Sequence, residues 1–223
     1  MNITDSGEKL AEKDIAEFEE QFGIRLPDDY KAFMLEHNGG TPEGTWVFDF
    51  FEAAIGDVSG SDVRYFEKLY ANETMKNDDL KAGYTALLES DQIPDTLMPI
   101  ADDSCGNIIF LVVKGERYGS VLFGNHELED PKTGHLITSI VAGSFTEFLE
   151  ACFEFDLDAY DTKQNSLKRY TDTAQANKAV GLDRTPEGYT WHYLENGQML
   201  LVDEIVHGTK FGFPHTGGFS MNS

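Results

Sequence analysis

Three of the chain's six histidines, His192, His207 and His215, lie near its end. His192 stands in the run Gly188-Tyr189-Thr190-Trp191-His192-Tyr193, and His215 is followed by Thr216-Gly217-Gly218. Neutral imidazole nitrogen is a good ligand for zinc and other first-row metals, and three protein ligands leave a position for water or substrate. Beside a phosphodiester, such a metal would stabilise charge on the phosphate and on the leaving oxygen. The alternative is that these are ordinary polar residues of a small hairpin.

The elements that would position them follow from local pattern. Asn196-Gly197 separates two apolar runs, Tyr189 to Leu194 and Met199 to Val202, which is a strong signal for a tight β-hairpin. Asp203 can cap a short helix carrying Ile205, Val206 and His207. The expectation is a ββα unit with His192 on the first strand, His207 on the helix and His215 just beyond it.

This stretch resembles the WHH branch of the HNH nuclease superfamily, found as C-terminal toxin domains in bacterial conflict systems. Matching residues are Gly188, Tyr189, Thr190, Trp191, His192, Met199, Leu201, Val202, His207, His215, Gly217 and Gly218. The resemblance implies His192, His207 and His215 as ligands of a divalent metal, zinc or magnesium, and DNA as a substrate of the tail. It also exposes a departure. The family's second histidine, the general base that activates water, is Tyr193 here. A phenol with a pKa near ~10 is mostly protonated at neutral pH and makes a poor base. The expectation is a metal-binding tail with impaired catalysis at position 193.

Before the tail the chain is strongly acidic. The formal charge is −23, and 33 acidic against 11 basic residues fall up to Tyr160, leaving 7 and 6 after it. Such a surface repels nucleic acid and attracts basic partners, although acidity also aids solubility. Asp102, Asp103, Glu127 and Glu129, in loops expected beside Asn107, are candidates for a patch facing a basic partner. Turn formation equally explains Asp and Asn there, and the spacing fits no calcium or magnesium loop. The N-terminal part implies no cofactor. No apolar run is long enough for a membrane span, and the N-terminus lacks the features of a secretion signal, so a cytoplasmic location is expected. Cys105 and Cys152 have no metal-type spacing and are expected as reduced thiols. Nothing in the sequence fixes the oligomeric state.

Taken in order, Leu10 to Gly23 reads as an amphipathic helix burying Ile15, Phe18 and Phe22. A second helix begins near Pro27, buries Tyr30, Phe33 and Met34, and stops at Asn38-Gly39-Gly40. Thr45 to Ile55 reads as a strand, Gly56 to Asp62 as a polar turn, and Val63 to Leu88 as mostly helical. Ile93 to Asp103 is extended, Ile108 to Val113 and Ser120 to Phe123 form strands, and Asn125 to Thr133 an acidic loop. Leu136 to Val141 is again extended, and Ser144 caps a closing helix that buries Phe145, Phe148, Leu149 and Phe153. Asp156 to Arg184 is polar and charge-balanced, a linker with a short helix near Ala174 to Val180.

The run Phe22 to Phe33, the glycines after Asn38, Pro99-Ile100-Ala101-Asp102-Asp103 with Gly106-Asn107, and Ser144 to Leu149 resemble the motifs of the SUKH superfamily. Many of its members are bacterial immunity proteins that bind nuclease toxins. The implied organisation is an α+β chain: a SUKH-like domain over 1–156, helices on an antiparallel-rich sheet, a linker over 157–184, and a ββα unit over 185–223. Three functions are compatible: an immunity protein binding a basic nuclease toxin and carrying a degenerate nuclease-like tail, an active metal-dependent endonuclease with a fused immunity module, and a non-catalytic regulatory scaffold.

Overall fold

The computed structural model describes residues 1–69, 79–155, 168–193 and 198–203. The chain runs β1 (Ile3–Thr4), α1 (Glu12–Phe22), α2 (Asp28–His37), β2 (Thr41–Pro42), β3 (Trp46–Glu52), β4 (Asp57–Asp62), β5 (Tyr65–Phe66), α3 (Leu80–Glu89) and β6 (Leu97–Asp102). It continues through β7 (Ile108–Val112), β8 (Val121–Glu129), β9 (Leu136–Ala142), α4 (Phe145–Ala151), β10 (Phe153–Glu154), α5 (Lys168–Val180), β11 (Tyr189–Tyr193) and β12 (Met199–Asp203). Among the described residues the sheets are all antiparallel: a five-stranded one ordered β5-β6-β7-β8-β9, a three-stranded one ordered β10-β3-β4, and the pairs β1-β2 and β11-β12. The fold is α+β.

The first two helices form as local pattern predicts. Ile15 and Phe18 of α1 are buried, Asp14 accepts a hydrogen bond from the Ala11 N–H, and Gly23 ends the helix at φ 59°. Tyr30, Phe33 and Met34 of α2 are buried, and Asn38 ends it in the left-handed region. The acids at the start of α2 have structural partners. The Asp29 carboxylate accepts from the Thr146 N–H at 2.9 Å, tying the start of α2 to α4. In turn α4, capped by Ser144, sets Phe145 against Tyr30 and Phe33, both at 5.1 Å between ring centres, and Phe148 against Phe48 at 5.2 Å. Phe50 meets Phe123 at 4.6 Å, which joins the two larger sheets. Aromatic pairs at these separations add to the stabilisation that area burial alone gives.

Several elements differ from the sequence expectation. Asp57–Asp62 is a strand, not a turn, because β3 supplies a full ladder of partners from Val47↔Asp62 to Glu52↔Asp57. Val63 to Leu69 is not helical: β5 pairs with β6, and α3 begins only at Leu80. Strand β8 extends to Glu129, through half of the expected acidic loop. Phe153 is on β10 and exposed, because β10 pairs with the edge of β3. Helix α5 begins at Lys168, earlier than expected, and Thr173 and Asn177 on it are buried. The hairpin β11–β12 forms with the expected strands; its turn, residues 194–197, and the helix expected after Asp203 lie outside the described residues.

Two glycines separate cheap from costly backbone positions. Gly39 has φ 68°, and a Cβ there would come within 2.4 Å of the Glu67 carbonyl oxygen, whereas Gly23 has φ 59° and open space around it. Gly39→Ala is expected to lower unfolding free energy by about 2–4 kcal/mol and Gly23→Ala by about 1 kcal/mol, read by urea denaturation. Equal losses at the two positions would refute the close-approach argument.

Candidate functional site

Strand β4 and the turn after β6 concentrate the buried polar groups. Asp103 is 0% exposed. One of its carboxylate oxygens accepts from the backbone N–H groups of Cys105 at 2.8 Å and Asn107 at 2.7 Å. The other accepts from the Ser61 hydroxyl at 2.5 Å and the Asn107 amide at 2.7 Å. A buried carboxylate is tolerated when its lone pairs are filled in this way. Gly106, at φ 82°, closes the turn. Asp62, one residue along β4 from Ser61, accepts from the Ser104 N–H at 3.1 Å and the Ser104 hydroxyl at 2.6 Å. Burial, then the nearby Asp103 charge, pushes the Asp62 carboxyl up to about 7.

The polar chain continues outward. Asn107 accepts from the His126 N–H at 3.2 Å, and its side-chain oxygen faces His126 Nδ1 at 2.9 Å. Asn125 donates to Glu52 at 3.3 Å and accepts from the Glu127 N–H at 3.0 Å. Arg64, 6% exposed, forms an ion pair with Asp102 and stacks over the Tyr65 ring at 4.9 Å. Its other terminal nitrogen donates to the Tyr189 carbonyl oxygen at 2.5 Å, in β11.

Arg64 is therefore where the C-terminal segment meets the larger domain. Helix α5 lies against β4. Thr173 and Asn177 are four residues apart and share a helix face. Thr173 Oγ1 is 3.1 Å from Cys105 Sγ. Asn177 accepts from the Trp191 indole N–H at 2.8 Å and donates to the Thr185 hydroxyl at 3.2 Å. Thr190 donates to the Ser104 carbonyl at 3.5 Å.

The sequence candidates fall into three groups. His192 is buried on β11. Tyr193 ends that strand, paired with Met199; its side chain, like His207 and His215, lies outside the described residues. The His192 imidazole suits a zinc-type ligand role better than a magnesium site, and among the described residues no group of three or more His, Cys, Asp or Glu could hold a metal. Of the four acids, Asp103 is sealed within its turn and Asp102 is committed to Arg64; Glu127 is half-buried and Glu129 exposed at the end of β8. Sequence reasoning missed Asp62, Arg64, Thr173 and Asn177. The signal for Arg64 was present: an arginine between Val63 and two aromatics, where a free cation would be out of place.

The fold and this polar junction define a class: an α+β domain of antiparallel sheets closed by helices, with an appended hairpin unit seated on one of its strands. The chain belongs to the SMI1/KNR4 family (SUKH-1), which matches residues 9–151. Residues 181–223 match WHH, a nuclease of the HNH/ENDO VII superfamily with conserved WHH. The chain is also similar to the SPbeta prophage-derived uncharacterized protein YokK of Bacillus subtilis (strain 168), with 28% identity over 154 residues, 65% of this chain and 76% of that protein. No helix among the described residues is long and apolar enough to cross a membrane.

The raised Asp62 carboxyl has a pH consequence. Folded chain holds a proton there that unfolded chain has lost, so the site's contribution to stability is fully present below about pH 4 and fades as pH climbs through about 7. Asparagine at this position cannot titrate. The melting temperature of Asp62→Asn, relative to wild type, should therefore rise from about pH 4 to about pH 8. A difference that stays flat with pH would sink this assignment.

Proposed function

We propose that this is a bacterial immunity-type protein whose SUKH-type domain binds and neutralises a basic nuclease toxin in the cytoplasm, and whose WHH-type tail is a degenerate nuclease. The observation that carries the reading is the family match over 9–151 together with the charge: all but one unit of the net −23 lies before residue 161. An acidic body steers a cationic partner toward itself and speeds association at low salt. Glu127 and Glu129 are the members of the candidate patch left available for that contact. In the tail, His192, His207 and His215 would hold a divalent metal, and Tyr193 occupies the general-base position. Losing a general base typically costs roughly two to four orders of magnitude in rate.

A second reading, an active endonuclease with a fused immunity module, is favoured by the tail's match to the WHH nucleases. Plasmid nicking by the full chain with magnesium, manganese or zinc separates the two. Wild type should nick weakly, and Tyr193→His should nick roughly a hundredfold faster or more. Strong wild-type nicking that Tyr193→Phe leaves unchanged would favour the enzyme. For the immunity function, co-expression with a panel of basic bacterial nuclease domains should rescue growth for at least one of them. The double variant Glu127→Lys/Glu129→Lys should slow that association, most at low salt. Rescue of none would count against neutralisation.

A further inference from the structure

The outer face of the β10-β3-β4 sheet is half covered. Phe48 and Phe50 point to the aromatic core, so Val47, Asp49 and Phe51 point the other way. Val47 is 0% exposed although it stands outside that core, and its partner Asp62 is buried too. At the far end of the same face, the cross-strand partners Phe51 and Val58 are 59% and 50% exposed. The cover at the Asp62 end is the C-terminal segment, with α5 against β4.

This contact is polar and specific. Thr173, Asn177, Thr185, Thr190 and His192 are buried, whereas Trp191 and Val202 are the buried apolar side chains of the described tail, and neither joins the main core. Buried polar side chains are tolerated only where partners meet them. Here Arg64 meets the Tyr189 carbonyl, Ser104 meets Thr190 and Cys105 meets Thr173. Alternation along β11 puts Thr190 and His192 on one face. Thr190 sits over Gly106, where an added Cβ would be 3.3 Å from its hydroxyl oxygen. The strand face that carries His192 is thus turned toward the Asp103–Asn107 turn, and His192 is 6% exposed.

We infer that the SUKH-type domain holds its own C-terminal unit shut: the Asp62–Arg64 end of β4 and the 103–107 turn form a recognition surface for a nuclease-type hairpin, Arg64 is its latch, and the partner is this chain's own tail. Arg64 is a positioning residue, since it acts through the Tyr189 backbone. The docking itself stands on the contacts above; the holding-shut role rests on the nuclease reading of the tail.

The two cysteines provide a built-in readout in the intact chain. Cys105 is buried at the junction, and Cys152 is buried in the main core. In wild type both thiols should resist alkylation. Arg64→Ala removes a charge-assisted hydrogen bond, so Cys105 should label about ten- to a hundredfold faster while Cys152 stays protected. Unchanged Cys105 labelling overturns the latch. If both thiols open together, Arg64→Ala has loosened the whole domain, and Thr173→Arg on α5 decides: selective opening of Cys105 supports the docking, and continued protection overturns it. Adding Arg64→Ala to Tyr193→His should then raise magnesium- or manganese-dependent plasmid nicking. Nicking that is present but unmoved by Arg64→Ala, with Cys105 opened, overturns the holding-shut role. No nicking in either variant, with Cys105 opened, leaves the docking surface standing and overturns both that role and the nuclease reading it rests on.

Discussion

Two buried carboxylates, Asp62 and Asp103, organise the part of this molecule where its two units meet. A buried carboxylate must find donors or a proton. Asp103 finds four donors, two from the backbone of its own turn and one each from Ser61 and Asn107. Asp62 finds two, both from Ser104, and retains a raised pKa. These bonds lock β4 to the turn after β6, although the two are far apart in sequence. The same turn presents the Ser104 carbonyl to Thr190 and the Cys105 thiol to Thr173. The geometry that satisfies the acids therefore also shapes the surface against which the tail rests.

The molecule combines two kinds of packing. Its core is aromatic: Phe145 and Phe148 of α4 bind α2 to β3, and Phe50 meets Phe123 across the sheets. Such packing is non-directional and follows area. The junction with the tail depends instead on hydrogen bonds with defined partners, which weaken steeply when distance or angle is lost. A contact of that kind can open locally while the core remains intact.

The family matches and the charge divide along the same line. All but one unit of the net −23 lies before residue 161, and the SUKH match at 9–151 alone carries most of it. Acidity in the first unit disfavours nucleic acid and favours cationic proteins. An ion pair within that acidic body, Arg64 with Asp102, leaves a second guanidinium nitrogen for the tail backbone. The acidic domain thus reaches its own tail through one of its few cations.

The sequence by itself determined what depends on near neighbours. The period of Ile15 and Phe18, the stop at Asn38-Gly39-Gly40, the Ser144 cap and the strands of the final hairpin were all legible, because helix faces, caps and turns are set within a few residues. Both family likenesses were legible for the same reason, since motifs are local. Tertiary structure alone decided the rest. Asp-Val-Ser-Gly-Ser-Asp has little strand propensity and became β4 because β3 pairs with it. Asp103 read as surface charge and proved to be fully buried, Asp102 is half-buried and paired with Arg64, and Arg64 and Thr173 became junction residues. Composition records a charge but not its surroundings; apart from the apolar neighbours of Arg64, loss of solvent is imposed by residues distant along the chain and leaves little local trace.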